Sequence, residues 1–216
     1  MKWIMAGMIV AGGLFLAGLQ AGPAAAGLVT FDLSNCAEAG LPPGCNNSNS
    51  GKSVLDFLSG GLDLNVSGFH AGSPNNFDLK LTPGDPSETG LGLFGATPAN
   101  EVGAGDTEVF NFGKLALLGI DSGTITLSSL QSGEVGLVTF DATGTAAVEV
   151  GSTGISAPIP ITWSLADPFV TVTALGGDVL AAADVEITVP EPAAWLLLGT
   201  AMLGLALAWP RLRTRP

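Results

Sequence analysis

"TITLSSLQSGEVGLVTFDATGTAAVEV", Thr124 to Val150, decides the fold class. Apolar residues fall at every second position in TITL, LVTF and AVEV. That period belongs to strands, whose successive side chains point to opposite faces. QSGE and ATG interrupt the runs with turn formers. No apolar face with helical spacing can be drawn through the stretch.

The same pattern extends in both directions. VTFDLS, LDLNVSGF, FDLKL, TEVFNF, LALLGI, IPITWSL, FVTVTAL and DVEITV alternate apolar and polar residues or are rich in β-branched and aromatic ones. SGG, DSG, GSTG and LGGD separate them. Many short strands at roughly ten-residue spacing predict an all-β domain, an antiparallel sandwich or jelly roll. The chain's 31 glycines also argue against a helical domain. In GGDVLAAADVEI an alanine cluster offers one turn of helix before alternation returns. NNSNSGKS, residues 46 to 53, reads as a loop, and AGSPNNFDLKLTPGDPSETG as turns around a short strand.

The two ends differ from this middle. MKWIMAGMIVAGGLFLAGLQAGPAAAG has one lysine, an apolar run from Trp3 to Leu19 and small residues before a cut after Ala26. That is the layout of a secretory signal peptide, residues 1–26, with an uncleaved signal anchor as the alternative. At the other end, Ala193 to Trp209 is 17 residues without a charge. As a helix it would be roughly 25 Å long, just enough to cross a bilayer core. Pro192 suits a first helical position and Pro210 stops the helix. Trp195 and Trp209 would stand at the two interfaces, and Arg211, Arg213 and Arg215 would hold the C-terminus in the cytoplasm. The alternative is a buried core helix. Residues 27–188 are then the exported passenger domain, and 189–216 the tail.

Val189-Pro190-Glu191-Pro192, followed by a short transmembrane helix (193–209) and an arginine cluster (211–215), resembles a PEP-CTERM sorting signal. Tails of this kind occur on exported proteins of Gram-negative bacteria that make exopolysaccharide. The same tail domain is sometimes labelled after ice-binding proteins. The resemblance implies processing by exosortase, a membrane-embedded transpeptidase, and a route from an inner-membrane-anchored precursor to the cell surface or extracellular matrix. A second, weaker resemblance covers residues 89 to 134. Gly90-Leu91-Gly92-Leu93, Glu101 and Gly105-Asp106-Thr107-Glu108 are similar to pieces of the β-sandwich passengers often joined to such tails. Val102-Gly103-Ala104 stands where that group has an acidic turn. This likeness implies a fold rather than an activity.

Between residues 27 and 190 three lysines face eighteen carboxylates, a formal charge of −15. Such a surface repels nucleic acid and anionic lipid and suits a hydrated matrix. Cys36 and Cys45 are the only cysteines, and in an exported chain they predict a disulfide across CAEAGLPPGC. So short a loop is worth up to roughly 2 to 3 kcal/mol; two free thiols are the alternative.

Chemistry-bearing motifs are sparse. SGKS lacks the upstream glycine of a phosphate loop, Asn46 standing there. DLNVSG, Asp63 to Gly68, opens like a calcium loop, but Pro74 occupies its twelfth position and the segment alternates as a strand. His70, the single histidine, reads as a loop residue, and the Gly-x-Ser-x-Gly motif is absent. Asp85, Glu88, Glu101, Asp106 and Glu108 lie in two adjacent turns and are the only candidates for calcium, though acidic turn residues are ordinarily just solvated.

The leading expectation is a non-enzymatic structural or adhesive protein of an exopolysaccharide-rich envelope, with no cofactor. The alternative is a carbohydrate-binding module of that matrix, for which the passenger has no tyrosine and one tryptophan, Trp163. Ice binding comes third, with Thr124, Thr126, Thr171 and Thr173 as two short pairs rather than a regular ladder.

Overall fold

The computed structural model describes residues 27–45, 49–81, 89–95, 101–130, 134–140, 146–150, 154–176 and 180–189. All belong to one compact unit, Ala26–Pro190; a second unit, Met1–Ala25 with Glu191–Pro216, contains none of them. The sorting motif beyond Val189, Trp195, Trp209, the three arginines and the signal cut at Ala26 therefore lie outside the described residues.

The described chain is all-β. Its strands are β1 (Gly27–Asp32), β2 (Val54–Ser59), β3 (Leu62–His70), β4 (Ser73–Pro74), β5 (Phe77–Lys80), β6 (Gly90–Leu93), β7 (Asp106–Asn111), β8 (Ser122–Ser128), β9 (Val135–Phe140), β10 (Ala146–Val150), β11 (Ile159–Thr162), β12 (Phe169–Gly176) and β13 (Leu180–Val189), with one short helix, α1 (Gly113–Leu117). They form two antiparallel sheets. The first is six-stranded, in the order β11-β8-β13-β6-β5, with β1 also paired to β13; the second is seven-stranded, β10-β9-β12-β7-β3-β2, with β4 on β3.

Alternation decides what each sheet buries. Phe31, Val185, Ile187, Ile125, Leu91 and Phe77 of the first sheet share one core with Leu55, Phe57, Leu64, Val66, Phe110 and Val172 of the second. The sheets come close at Gly68 of β3, where a Cβ would lie 2.4 Å from Leu93 Cδ2 and 3.1 Å from the Phe77 ring. This is the face-to-face packing of a sandwich-like fold.

Two sequence expectations need correction. LALLGI is not a strand. The chain must cross from β7 in one sheet to β8 in the other, and over that crossing it has no strand edge to pair with. It winds instead into α1, burying Leu115 and leaving Leu117 and Leu118 exposed. The alanine cluster of GGDVLAAADVEI forms no helical turn: Leu180 onward is strand β13, because β8 offers it a partner at Ser128. VLDFLS, residues 54 to 59, is a strand that the sequence reading passed over.

Cys36 and Cys45 are joined by a disulfide with their Cα atoms 6.0 Å apart. The loop it closes crosses from β1 in one sheet to β2 in the other. Leu33, Ala39 and Leu41 are buried beneath it, and the Leu58 amide on the outer edge of β2 donates to the Glu38 carbonyl. Replacing both cysteines with serine is expected to lower stability by about 2 kcal/mol through loop entropy. Non-reducing peptide mass spectrometry of the purified protein should find the two cysteines linked, and alkylation of either without reduction would contradict the bond.

Candidate functional site

Three of the acidic residues singled out in the sequence fall among the described residues; Asp85 and Glu88 lie outside them. The inward row of β7 reads Asp106, Glu108, Phe110. Sheet register places Glu108 between Gly68 of β3 and Val172 of β12, and Asp106 opposite His70. Asp106 Oδ1 lies 2.6 Å from His70 Nδ1, and Oδ2 accepts the Gly103 amide at 2.9 Å. His70 is thus the last residue of a strand with a carboxylate partner, not a loop residue. Its ring is largely exposed while Asp106 is buried.

Glu108 is fully buried, and neither of its carboxyl oxygens has a hydrogen-bond partner. Burial pushes its carboxyl well above the ordinary value of 4.5, and the neighbouring Asp106 charge adds to the rise. The unfolded chain loses this proton as pH climbs past 4.5, while the folded chain keeps it. The contribution of Glu108 to stability therefore falls with rising pH through that window and recovers on acidification. Glu108→Met, close in volume, is expected to stabilise the fold by roughly 1–2 kcal/mol at neutral pH. It should also flatten the pH dependence of the melting temperature between acid and neutral buffers. An unchanged slope would mean that Glu108 is solvated in solution.

Glu101 is held elsewhere. Its Oε1 accepts Lys80 Nζ at 2.8 Å and Ser129 Oγ at 3.0 Å, beneath the surface. Ser129 adopts a left-handed φ of 58° to reach it. Glu101 and Asp106 thus turn oxygens toward Lys80, Ser129, His70 and Gly103. Among the described residues, no group of three or more histidine, cysteine, aspartate or glutamate side chains is arranged to hold a metal ion.

A second acidic group was missed in the sequence. Asp32 and Asp184 pair directly across β1 and β13, and Glu186 follows two residues along. Glu38, from the disulfide loop, accepts the Asp32 amide at 3.1 Å. Partial burial raises the carboxyls of Asp184 and Glu38 above their ordinary range, and the facing carboxylates raise them further. Their like charges oppose each other across the strands. Beside them an open groove of about 280 Å³ is lined by Leu28, Ser122, Gly123, Thr124, Glu186 and Thr188. The two-residue step from Asp184 to Glu186 was legible as one face; their meeting with Asp32 and Glu38 depends on pairings more than 140 residues apart in sequence.

The residues weighed for ligand recognition are dispersed. Thr124 and Thr126 lie on β8 of the first sheet, whereas Thr171 and Thr173 lie on β12 of the second. All four are on outward positions, so the two pairs sit on opposite sides of the sandwich and cannot make one flat ladder. Trp163 is buried, stacked on Phe112 with ring centroids 4.1 Å apart, and its indole N–H donates to the Ile120 carbonyl. It is unavailable for stacking on a sugar. No protein family, no curated protein and no solved structure matches this chain.

Proposed function

We propose that the chain is an exported, non-catalytic β-sandwich protein, sorted by a PEP-CTERM tail and contributing structure or adhesion to an exopolysaccharide-rich surface. In this reading residues 1–26 are a cleaved signal peptide. Residues 27–188 are the passenger, and Val189-Pro190-Glu191-Pro192 is the motif presented to exosortase ahead of one membrane span. The observation that carries the reading is the three-part order of the tail: proline-bracketed glutamate, 17 uncharged residues, then alternating arginines. Two features support it. Among the described residues the last strand, β13, runs to Val189, and Pro190-Glu191-Pro192 follows it directly in sequence. Proline also disfavours helix in the residue before it, which favours an extended segment that a protease can read.

The passenger's charge of −15 suits a hydrated matrix rather than an anionic surface. Expression in the native host with an epitope tag in a passenger loop tests the proposal. The tail should be lost from the mature protein, as read by C-terminal peptide mass spectrometry. Replacing Pro190 and Pro192 with alanine should block that loss. Retention of the whole tail in both proteins would leave only a permanent anchor and would refute sorting.

A further inference from the structure

Alternation fixes what the outer face of the first sheet presents. Phe31 of β1, Val185 and Ile187 of β13, Ile125 of β8 and Ile161 of β11 are buried inward. The residues that alternate with them point out. Register joins those outward residues into rows. Thr30 faces Glu186, Glu186 faces Thr124, and Thr124 faces Pro160. One row along, Asp32 faces Asp184 and Asp184 faces Thr126. On the other side Leu28 faces Thr188, and Ser122 faces Thr162. The rows form one surface across four paired strands.

Two properties of this surface point to a ligand. The first is the groove of about 280 Å³ between the rows, where Ser122, Thr124 and Thr188 bring hydroxyls, Glu186 a carboxylate and Leu28 an apolar wall. Hydroxyls and a carboxylate suit a partner that both donates and accepts many hydrogen bonds. The second is negative charge with no cation against it. Glu186 and Asp184 stand two residues apart on β13, about 7 Å along the strand. Asp32 faces Asp184, and Glu38 accepts the Asp32 amide from the disulfide loop. The ion pairs of the described residues, Lys80–Glu101, Lys114–Asp63 and His70–Asp106, take none of these four carboxylates. No aromatic side chain stands in the rows. A neutral sugar ring therefore finds nothing to stack on, and recognition falls to charge and hydrogen bonds.

We propose that this groove and the carboxylates beside it bind an amino-sugar polymer, with its protonated amines against Glu186 and Asp184 and its hydroxyls on Ser122, Thr124 and Thr188. The proposal rests on the matrix-adhesion reading above and adds the chemistry of the partner. Charge complementarity selects a cationic sugar over a neutral one: an amine beside Asp184 and Glu186 relieves a like-charge repulsion that the sheet otherwise carries. A basic peptide would answer the carboxylates, but the hydroxyl lining matches a polyhydroxylated ligand.

Calorimetric titration of the full chain, purified in a neutral detergent, provides the test. The probes are a fully deacetylated glucosamine oligomer, its N-acetylated counterpart and oligolysine, in mildly acidic buffer of low salt. The deacetylated oligomer should bind, and the acetylated one at least about tenfold more weakly, since acetylation removes the charge and keeps the ring. Asp184→Asn with Glu186→Gln should weaken binding by roughly tenfold. Asp56→Asn, which removes a charge from the outer face of the other sheet, should leave it within about twofold. Thr124→Val keeps the shape and loses the hydroxyl, so it should weaken the amino sugar several-fold and leave oligolysine unaffected. The acidic substitutions relieve a like-charge contact, so an undiminished melting temperature separates lost binding from lost folding. Equal affinity for the acetylated oligomer overturns recognition by charge. Oligolysine binding as tightly as the amino sugar, with both indifferent to Thr124→Val, assigns the face to a basic peptide and overturns the proposal. So does an absence of binding, or binding that Asp184→Asn with Glu186→Gln leaves intact. Tail loss in the native host keeps the two readings apart. A chain that is processed but does not bind leaves sorting standing without this site, and a chain that binds but keeps its tail refutes sorting and retains the site.

Discussion

Lys80→Met is expected to lower stability by about 3–5 kcal/mol. Lys80 Nζ lies 2.8 Å from Glu101 Oε1, and the two side chains are 21% and 6% exposed. Screening by water is weak at such burial, so the pair cannot be treated as a surface ion pair worth a few tenths of a kcal/mol. Removing the cation leaves the Glu101 carboxylate out of water. The Ser129 hydroxyl is a neutral donor and cannot offset a buried charge. The pair itself need not be strongly stabilising. Lys80→Met combined with Glu101→Gln should therefore recover most of the loss. Urea denaturation of the three proteins measures this through the midpoint, with the slope unchanged. A loss below about 1 kcal/mol in the single variant would show that Glu101 is hydrated in solution.

Gly123→Ala is expected to cost about 3 kcal/mol, near the upper end for overpacking by one methyl group. A Cβ at this position would lie 2.5 Å from the Glu186 carbonyl oxygen, 3.0 Å from Ile187 Cγ2 and 3.3 Å from the Trp163 ring. The first contact is with the backbone of β13, which is paired on both sides, so it cannot move without breaking a ladder. Gly72→Ala is a useful contrast. No atom lies within 4 Å of a Cβ there, and only a left-handed φ of 79° opposes it. Thermal melts should show a shift of roughly 2–4 °C per kcal/mol for a domain of this size. If Gly123→Ala melts within a degree of the parent, β8 and β13 are farther apart in solution than the register implies.

The strands were legible wherever alternation ran long enough between turn formers. LDLNVSGF, FVTVTAL and DVEITV each fall within an observed strand, and TITLSSL shares its first five residues with β8. Side-chain period is a local property, set by the backbone of an extended chain, and needs no partner to be read. LALLGI misled because its residues are apolar on both faces, and such a run fits a strand or a buried turn of helix equally. Only the need to cross between sheets, with no edge to pair with, decided for α1.

The acidic sites were less legible. Asp106 and Glu108 were singled out as turn residues that could face water or a cation. Alternation puts them on one face of β7 with Phe110, but it cannot say which face of a strand turns inward when each mixes polar and apolar residues. Pairing with Gly68 and Val172 turned that face to the core and left Glu108 without a partner. Nothing local joins Asp32 to Asp184 either, because their meeting is made by β1 lying against β13.

The sequence by itself determined the all-β class, most strand positions, the pairing candidates Cys36 and Cys45, and the charge of the surface, since each follows from composition or from a period of two. Only the tertiary structure decided which strands are neighbours. With that came the buried carboxyl of Glu108, the Lys80–Glu101 pair and the separation of the threonine pairs onto opposite sides. Each of these depends on contacts between residues far apart in sequence. Local periodicity carries no information about them, because a strand's hydrogen-bonding edges are the same whichever partner takes them.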